Sequence, residues 1–396
     1  MAIREVKLGK VATVKGGKRL PKGINLITKP NPHPYIRVRD LNGKKTLELD
    51  GSFEFVDDET QKAISRYIVT GGDIVLSIVG TIGLVSVVGD SLNEANLTEN
   101  CVKLTSLSGI DRDYLYYYLK SSYGQQEIAR GTVGAVQAKL PIKNIQDISI
   151  PLPDEVTQRK IADILSSLDA KIEVNQRIND NLYEIVNAYY TSLFKDVECE
   201  MTTIGNYAER IYSGGTPTTS NAAYWDGTFG WFSSGETRNR FVISTEKSIT
   251  QTGIDNSSTK LASKHDIVMA SAGQGFTRGQ TSMLLIDTYV NQSVIVIHAD
   301  RNILPYLFWN LANRYEELRA ISDSSSIRGS LTTKMIAAFE IPCANNDVIQ
   351  TFSGFAWAVI PQIENNLLEN ERLAALRDSL LPKLMTGEID VSAIHL

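Results

Sequence analysis

The most regular hydrophobic pattern in the chain runs from Ile161 to Leu193. Ile161, Leu165, Leu168, Ile172, Asn175, Asn179, Leu182, Val186, Tyr189 and Leu193 are spaced four, three, four, three, which is the a/d seam of a coiled coil. The stretch around it, Ile150 to Phe194, reads as a short exit strand, a proline stop and one helix starting near Thr157. About 38 helical residues at ~1.5 Å each predict a rod of ~57 Å. A seam of that length requires a partner helix. Adding 191 to each seam position gives Phe352, Ala356, Val359, Ile363, Asn366, Asn370, Leu373, Arg377, Leu380 and Leu384, and all but Arg377 keep an apolar or identical class. Both asparagines recur, as Asn366 and Asn370. A seam asparagine lowers stability and fixes register, so the matched asparagines predict two helices that align in one way.

The same offset holds outside the helices. Leu140-Pro-Ile-Lys-Asn-Ile corresponds to Leu331-Thr-Thr-Lys-Met-Ile, and Ile150-Pro151 to Ile341-Pro342, all at 191. Asp73-Ile-Val corresponds to Asp266-Ile-Val at 193, Tyr114-Leu115 to Tyr306-Leu307 at 192, and Gly16-Gly17 echoes Gly214-Gly215. The chain therefore reads as a divergent tandem duplication, each copy a globular part of about 150 residues followed by a long helix; two copies are too few for a solenoid. Between the helices the pattern is of short β-branched runs bounded by glycines, such as GGDIVLSIVG and GLVSVVGD, with YIRVRDL alternating as a half-exposed strand. DRDYLYYYLKSSYGQQEIAR and ILPYLFWNLANRYEELRAI each read as one amphipathic helix. The predicted class is α+β with mixed or antiparallel sheets, since no regular βαβ alternation supports a doubly wound fold.

Composition narrows the picture. The chain has 396 residues, with no apolar run long enough for a membrane span and no hydrophobic leader in MAIREVKLGK. Cys101, Cys199 and Cys343 are isolated, which predicts a reducing, cytoplasmic setting and no zinc site. The net charge is −5, but it is unevenly spread. The first fifty residues carry twelve Lys and Arg against four acids, a local balance of +8, whereas the distal helix region is acidic. Such asymmetry marks a basic binding face beside an acidic one.

Catalytic motifs are missing. No phosphate-binding G-x-x-x-x-G-K-[ST] loop exists, and GQGFTRG has one residue too many for a dinucleotide fingerprint. Asn31-Pro-His-Pro-Tyr35 differs by an insertion from the NPPY motif of amino-methyltransferases. Asp154 with Asp169-Ala-Lys171 formally satisfies a nuclease pattern, but the last two lie on the long helix beside its seam. No metal ligand set and no catalytic residue is expected.

What remains are glycine- and hydroxyl-rich loops carrying basic and amide side chains at matching places in both copies. Such side chains reach base edges and phosphates, and glycine lets backbone N–H groups approach phosphate oxygens. The candidate DNA-binding residues are Lys15, Lys18, Arg19, Lys22, Arg37, Arg39, Thr81, Arg130, Gln137 and Lys139 in the first copy. In the second they are Ser213, Thr216, Arg238, Arg240, Gln274, Arg278, Ser326 and Arg328.

At this point the chain resembles the specificity (S) subunits of type I restriction–modification systems. The resemblance spans essentially the full length and is strongest at KNIQDISIPLPDEVTQRKIADILSSLDAKI, at KMIAAFEIPCANNDVIQTFSGFAWAVIPQIENN and at the closing LLPKLMTGEIDV. The first copy keeps Pro151, Pro153, Gln158 and Ile161; in the second, Cys343-Ala-Asn-Asn follows Pro342 and Gln350 is shifted by one. The resemblance implies two mixed α/β target-recognition domains in pseudo-twofold tandem repeat, separated by two long helices that form an antiparallel coiled coil. It places the first domain at residues 1–150, a central helical region at 151–197, the second domain at 198–341 and a distal helical region at 342–396. It implies that each domain reads one half of a bipartite, asymmetric double-stranded DNA site, with the helices setting the spacer. The implied partners are two methylation subunits and, in the full complex, restriction subunits. S-adenosylmethionine, ATP and Mg belong to those partners, and this chain binds no cofactor and is not itself an enzyme.

Overall fold

The computed structural model describes residues 4–41, 43–134, 136–194, 200–273, 277–324 and 329–391. It divides into two compact units: Met1–Ile172 with Arg372–Leu396, and Glu173–Glu371. Each unit contains one globular part and one stretch of each long helix.

In the first unit the Arg4–Lys7 strand pairs antiparallel with the exit strand Ser149–Leu152, so chain entry and exit lie side by side. The main sheet has the order Thr13–Gly16, Cys101–Thr105, Ile74–Ser77, Val85–Val88, Thr46–Leu47. Its last pair is parallel and the others antiparallel, which makes the sheet mixed. A second, three-stranded sheet has the order Glu54–Phe55, Pro34–Ile36, Asn96–Leu97. The second unit repeats the plan. Met201–Thr203 pairs with Glu340–Pro342. Its main sheet runs Ala208–Ser213, Val294–Ala299, Ile267–Ala270, Thr281–Leu284, Phe241–Val242, again with a parallel last pair. The α+β, mixed-sheet reading of the sequence describes both units.

The repeat is visible in single hydrogen bonds. Tyr114 Oη donates to the Pro151 carbonyl at 2.5 Å, and Tyr306 Oη to the Pro342 carbonyl at 2.6 Å. Both bonds tie the helix that follows the main sheet to the exit strand, and both satisfy a tyrosine hydroxyl whose ring is buried.

The two segments expected as single helices are each broken once. Arg112–Lys120 and Ser122–Gly131 are separate because Ser121 is extended, with its hydroxyl accepting from the Gly124 N–H. Asp111 caps the first by accepting from the N–H groups of Asp113 and Tyr114. In the second unit Leu304–Asn313 and Tyr315–Ser324 are divided at Arg314. Serine favours capping over continuing a helix because its hydroxyl competes for backbone N–H groups. Hydrophobic periodicity carries across such a break, and so it hid both.

The long helices are Glu155–Phe194 and Asn346–Thr386. Within the second unit Asn175 Nδ2 donates to Asn370 Oδ1 at 2.9 Å and Asn366 Nδ2 to Asn179 Oδ1 at 2.7 Å. One number rises while its partner falls, so the two stretches run antiparallel. The crossing is informative: Asn175 meets the counterpart of Asn179, and Asn179 the counterpart of Asn175. Ile363 is buried in the same unit's core, with Leu182, Val359 and Leu367 packed against it. In the first unit Ile161 and Leu165 share the core with Leu381, Leu384 and Met385. There Asp169 accepts from both Tyr117 Oη and Arg377 Nη1, each at 2.6 Å. Arg377, the one charged residue in the expected seam, is therefore matched by a buried carboxylate. Of the remaining seam positions, Leu168, Ile172 and Leu373 are half-buried.

Candidate nucleic-acid interface

Each unit carries three loops at matching places in its fold. The first leaves the edge strand of the main sheet at Gly17 and runs to Pro34. Gly17 donates to the Cys101 carbonyl at 3.0 Å and Lys18 to that of Leu97 at 2.8 Å. In the second unit Gly215 makes the equivalent of the Lys18 bond, to the Val290 carbonyl at 3.1 Å, while Gly214 bonds the Asn291 carbonyl at 3.3 Å. The ladder fixes the correspondence: Gly16 faces Val102 and Ser213 faces Ile295, so Gly17 matches Gly214 and Lys18 matches Gly215. The sequence echo of Gly16-Gly17 with Gly214-Gly215 is thus displaced by one residue. A Cβ on Gly17 would stand 2.0 Å from the Thr98 carbonyl oxygen, and one on Gly214 would stand 1.9 Å from that of Val290. Only glycine allows that approach.

An aromatic side chain locks each loop. Tyr35 Oη donates to the Lys18 carbonyl at 2.8 Å, and Trp231 Nε1 to the Gly215 carbonyl at 3.3 Å. Tyr35 and Trp231 also hold equivalent ladder positions, opposite Asn96 and Tyr289. The second loop is the hairpin between Ser77 and Val85, with Thr81 exposed at its turn. The third is 131–140, clasped to it by the Leu140 N–H on the Ile78 carbonyl at 3.0 Å. It also closes on itself through mutual bonds between Val133 and Lys139. In the second unit the Leu331 N–H bonds the Ser271 carbonyl at 2.8 Å in the same way.

The candidate residues fall into three groups. Lys15, Lys18, Lys22, Gln137 and Lys139 are exposed, and among the described residues none of these lysines pairs with a carboxylate. Lys18 lies over the Tyr67 ring at 5.6 Å. Other cations pair with carboxylates of this chain, several of them at the surface. Arg19 bonds Glu99 at 2.6 Å, Arg39 bonds Glu54 at 2.8 Å, Arg37 pairs with Asp40 and Glu54, and Arg130 pairs with Glu127. Arg238 pairs with Glu246, while Arg240 stacks on Tyr183 at 4.2 Å beside Asp180. Arg278 is almost buried, holding Asp323 and, at 2.6 Å, the Gly329 carbonyl. Ser213 and Thr216 are half-buried, and Thr216 Oγ1 bonds Gln292. Gln274, Ser326 and Arg328 lie outside the described residues.

The loops and the Trp225–Phe232 strand also present groups that periodicity and charge did not single out. Val136 is fully exposed beside Gln137, and Phe229 is partly exposed against Tyr289. Trp225 packs edge-on against Trp231 with Lys247 over its ring. An apolar residue on a clasped loop tip was legible only as a valine in a glycine-rich run.

The remaining distinctive polar groups have structural partners. Gln158 is buried, accepting from the Asp111 N–H at 2.8 Å and donating to the Pro153 carbonyl at 2.9 Å, so it pins the start of the long helix. In the second copy the corresponding place is buried Ile349, and Gln350 is exposed. Cys101 is buried and its thiol is pushed up to about 12, mainly by burial. Among the described residues no group of His, Cys, Asp and Glu could hold a metal ion, and no helix is long and apolar enough to cross a membrane.

Comparison with known proteins agrees with this architecture. The model of the type I restriction modification DNA specificity domain matches residues 3–184 and 197–347, and the chain belongs to that family. It is 21% identical over 329 residues to the HindI specificity subunit of Haemophilus influenzae, covering 63% of this chain and 71% of that protein. It is 20% identical over 382 residues to the MjaIX specificity subunit of Methanocaldococcus jannaschii, covering 91% and 88%. A crystal structure of a type I S subunit from M. genitalium has the same fold, with a TM-score of 0.57 at 17% identity, covering 97% of this chain and 96% of that one. The chain is a type I specificity subunit with two target-recognition domains in tandem, a non-catalytic recognition subunit.

Proposed function

We propose that this chain supplies the DNA address of a type I restriction–modification complex. Each globular unit binds one half of a bipartite site through its three-loop cluster, and the paired helices fix the spacer between halves. The observation that supports this is the recurrence of one backbone frame, Gly17 with Tyr35 and Gly214 with Trp231, under different loop side chains. A conserved frame holding different readers favours two unlike half-sites and an asymmetric motif. A helix of 40 residues is ~60 Å long, more than the ~34–36 Å that separates half-sites one turn apart.

The helices also carry a surface for partners. Val174, Ile178 and Ile185 are exposed on the Glu155–Phe194 helix at spacings of four and seven, a second apolar stripe apart from the buried seam. Such a stripe suits packing by helices of two methylation subunits. In this reading S-adenosylmethionine, ATP and Mg are held by methylation and restriction subunits, this chain binds no cofactor, and the complex works in the cytoplasm.

Co-expression with its methylation subunit in a host without its own modification, followed by single-molecule sequencing, tests the proposal. A two-part asymmetric motif with a fixed spacer is the expected result. No new methylation from a complex that co-purifies would end the reading.

A further inference from the structure

The charge of the two units is unequal. The first unit carries 26 Lys and Arg against 23 Asp and Glu, a net +3, and the second carries 14 against 22, a net −8. The difference concentrates at equivalent loops. From Lys15 to Lys29 the first unit has Lys15, Lys18, Arg19, Lys22 and Lys29 and no acid. The sheet register places Tyr212 at the position of Lys15, Gly215 at that of Lys18 and Thr216 at that of Arg19. From Tyr212 to Asp226 the second unit has no lysine or arginine and one acid.

Both units hold ion-paired cations, among them Arg19, Arg37, Arg39 and Arg130 in the first, so the contrast lies in this loop. Lys15, Lys18, Lys22 and Lys29 are exposed, without a carboxylate partner among the described residues. In the second unit Arg238, Arg278, Arg314, Arg319 and Lys264 are each already paired with a carboxylate. A cation already neutralised inside the protein releases fewer counterions on meeting phosphate than an unpaired one. A unit of net negative charge is repelled by DNA until specific contacts form.

We propose that the two units engage DNA by different forces and in a fixed order, an inference that rests on the DNA-binding reading above. The first unit makes the encounter: Lys15, Lys18, Lys22 and Lys29 grip phosphates and carry most of the salt dependence. The second unit joins afterwards through hydroxyl, amide and aromatic groups. Its negative charge discourages residence on DNA that lacks its half-site, so it sets the lifetime of the complex and not the encounter rate.

The test uses the chain with its methylation subunits and measures binding across about 50 to 200 mM salt. Replacing Lys15, Lys18, Lys22 and Lys29 together by glutamine is expected to flatten the salt slope by about 3 to 4, near 0.9 per contact, and to slow association several-fold. The matched set Arg210→Gln, Lys247→Gln, Lys260→Gln and Lys334→Gln, all exposed, is expected to change the slope by less than about 1. Scrambling the half-site of the second unit is expected to speed dissociation and leave association unchanged. Equal flattening by both sets, or none by the first, would overturn the inference, with unchanged melting temperatures excluding misfolding. The slope comparison also works on a duplex without the site, so its outcome is separable from failure to find a bipartite methylated motif.

Discussion

At the scale of single residues, backbone geometry decides the most sensitive positions. Gly17 and Gly214 have no room for a Cβ, since the nearest obstacle is a carbonyl oxygen at 2.0 or 1.9 Å. Gly17→Ala is expected to destabilise its unit by about 3 kcal/mol, because the loop must leave the sheet edge to make room. Gly80→Ala, with φ of +79° and nothing within 4 Å, is expected to cost about 1–2 kcal/mol from the backbone alone. Urea unfolding followed by circular dichroism distinguishes the two, since all four tryptophans lie in the second unit and would not report on the first. A related contrast separates the copies. The turn before the Asp-Ile-Val strand uses Gly72 at φ +87° in the first unit and His265 at φ +79° in the second. His265 keeps that conformation while its ring packs 4.6 Å from that of Trp357. His265→Gly is expected to be more stable than His265→Ala by about 1 kcal/mol, since only glycine relieves the turn. Burial, then Lys264 and Arg301, lower the His265 pKa, with Glu364 and Asp266 opposing. Its folded-state pKa lies below the unfolded value of ~6.5, so the unfolded chain takes up the proton first as pH falls. The stability this histidine contributes is present above that pH and is lost on acidification through the folded pKa. His265→Gln should flatten the loss of stability below ~6.5 in thermal melts across pH.

At the scale of elements, polar residues inside the helix seam carry direction. Asn175 with Asn370 and Asn179 with Asn366 satisfy one another only when the helices run antiparallel in this register. Asn175→Leu leaves Asn370 facing an apolar group and is expected to cost about 1–3 kcal/mol. Asn175→Leu with Asn370→Leu is expected to regain part of that loss, since apolar residues replace the buried Asn175 and its half-buried partner while the Asn175 bond to Glu369 stays lost. Thermal unfolding of the single and double variants reads both, and an additive double variant would show that the pair does not act as a unit. The heptad spacing made both helices legible, and the repeated asparagines made their pairing legible. The breaks at Ser121 and Arg314 were not legible, because apolar spacing continues through them while the first depends on the Ser121 hydroxyl and the second on the Arg314 backbone, at φ −112° and ψ 27°.

At the scale of the whole chain, duplication with divergence is the governing fact. Two units share a strand order, a tyrosine lock on the exit strand and a glycine-lined loop exit, while their loop side chains differ. Thr216→Ala with Arg328→Ala is therefore expected to relax base preference in one half of the methylated motif and leave the other half intact. Sequencing of methylated DNA from the variant complex reads this directly, and equal relaxation of both halves would contradict one unit per half-site.

The sequence by itself determined the tandem repeat, the two long helices and the α+β class, because each is a matter of spacing and offset along the chain. It also led to the three loops of each copy, which carry glycine at fixed places. Tertiary structure decided which of their cations are available. Arg37, Arg39, Arg238 and Arg278 look like Lys15 and Lys22 in a sequence, yet the fold brings Glu54, Glu246 and Asp323 against the four arginines and no carboxylate among the described residues against the two lysines. Charge is a property of a residue, whereas pairing is set by contacts between segments far apart in the chain.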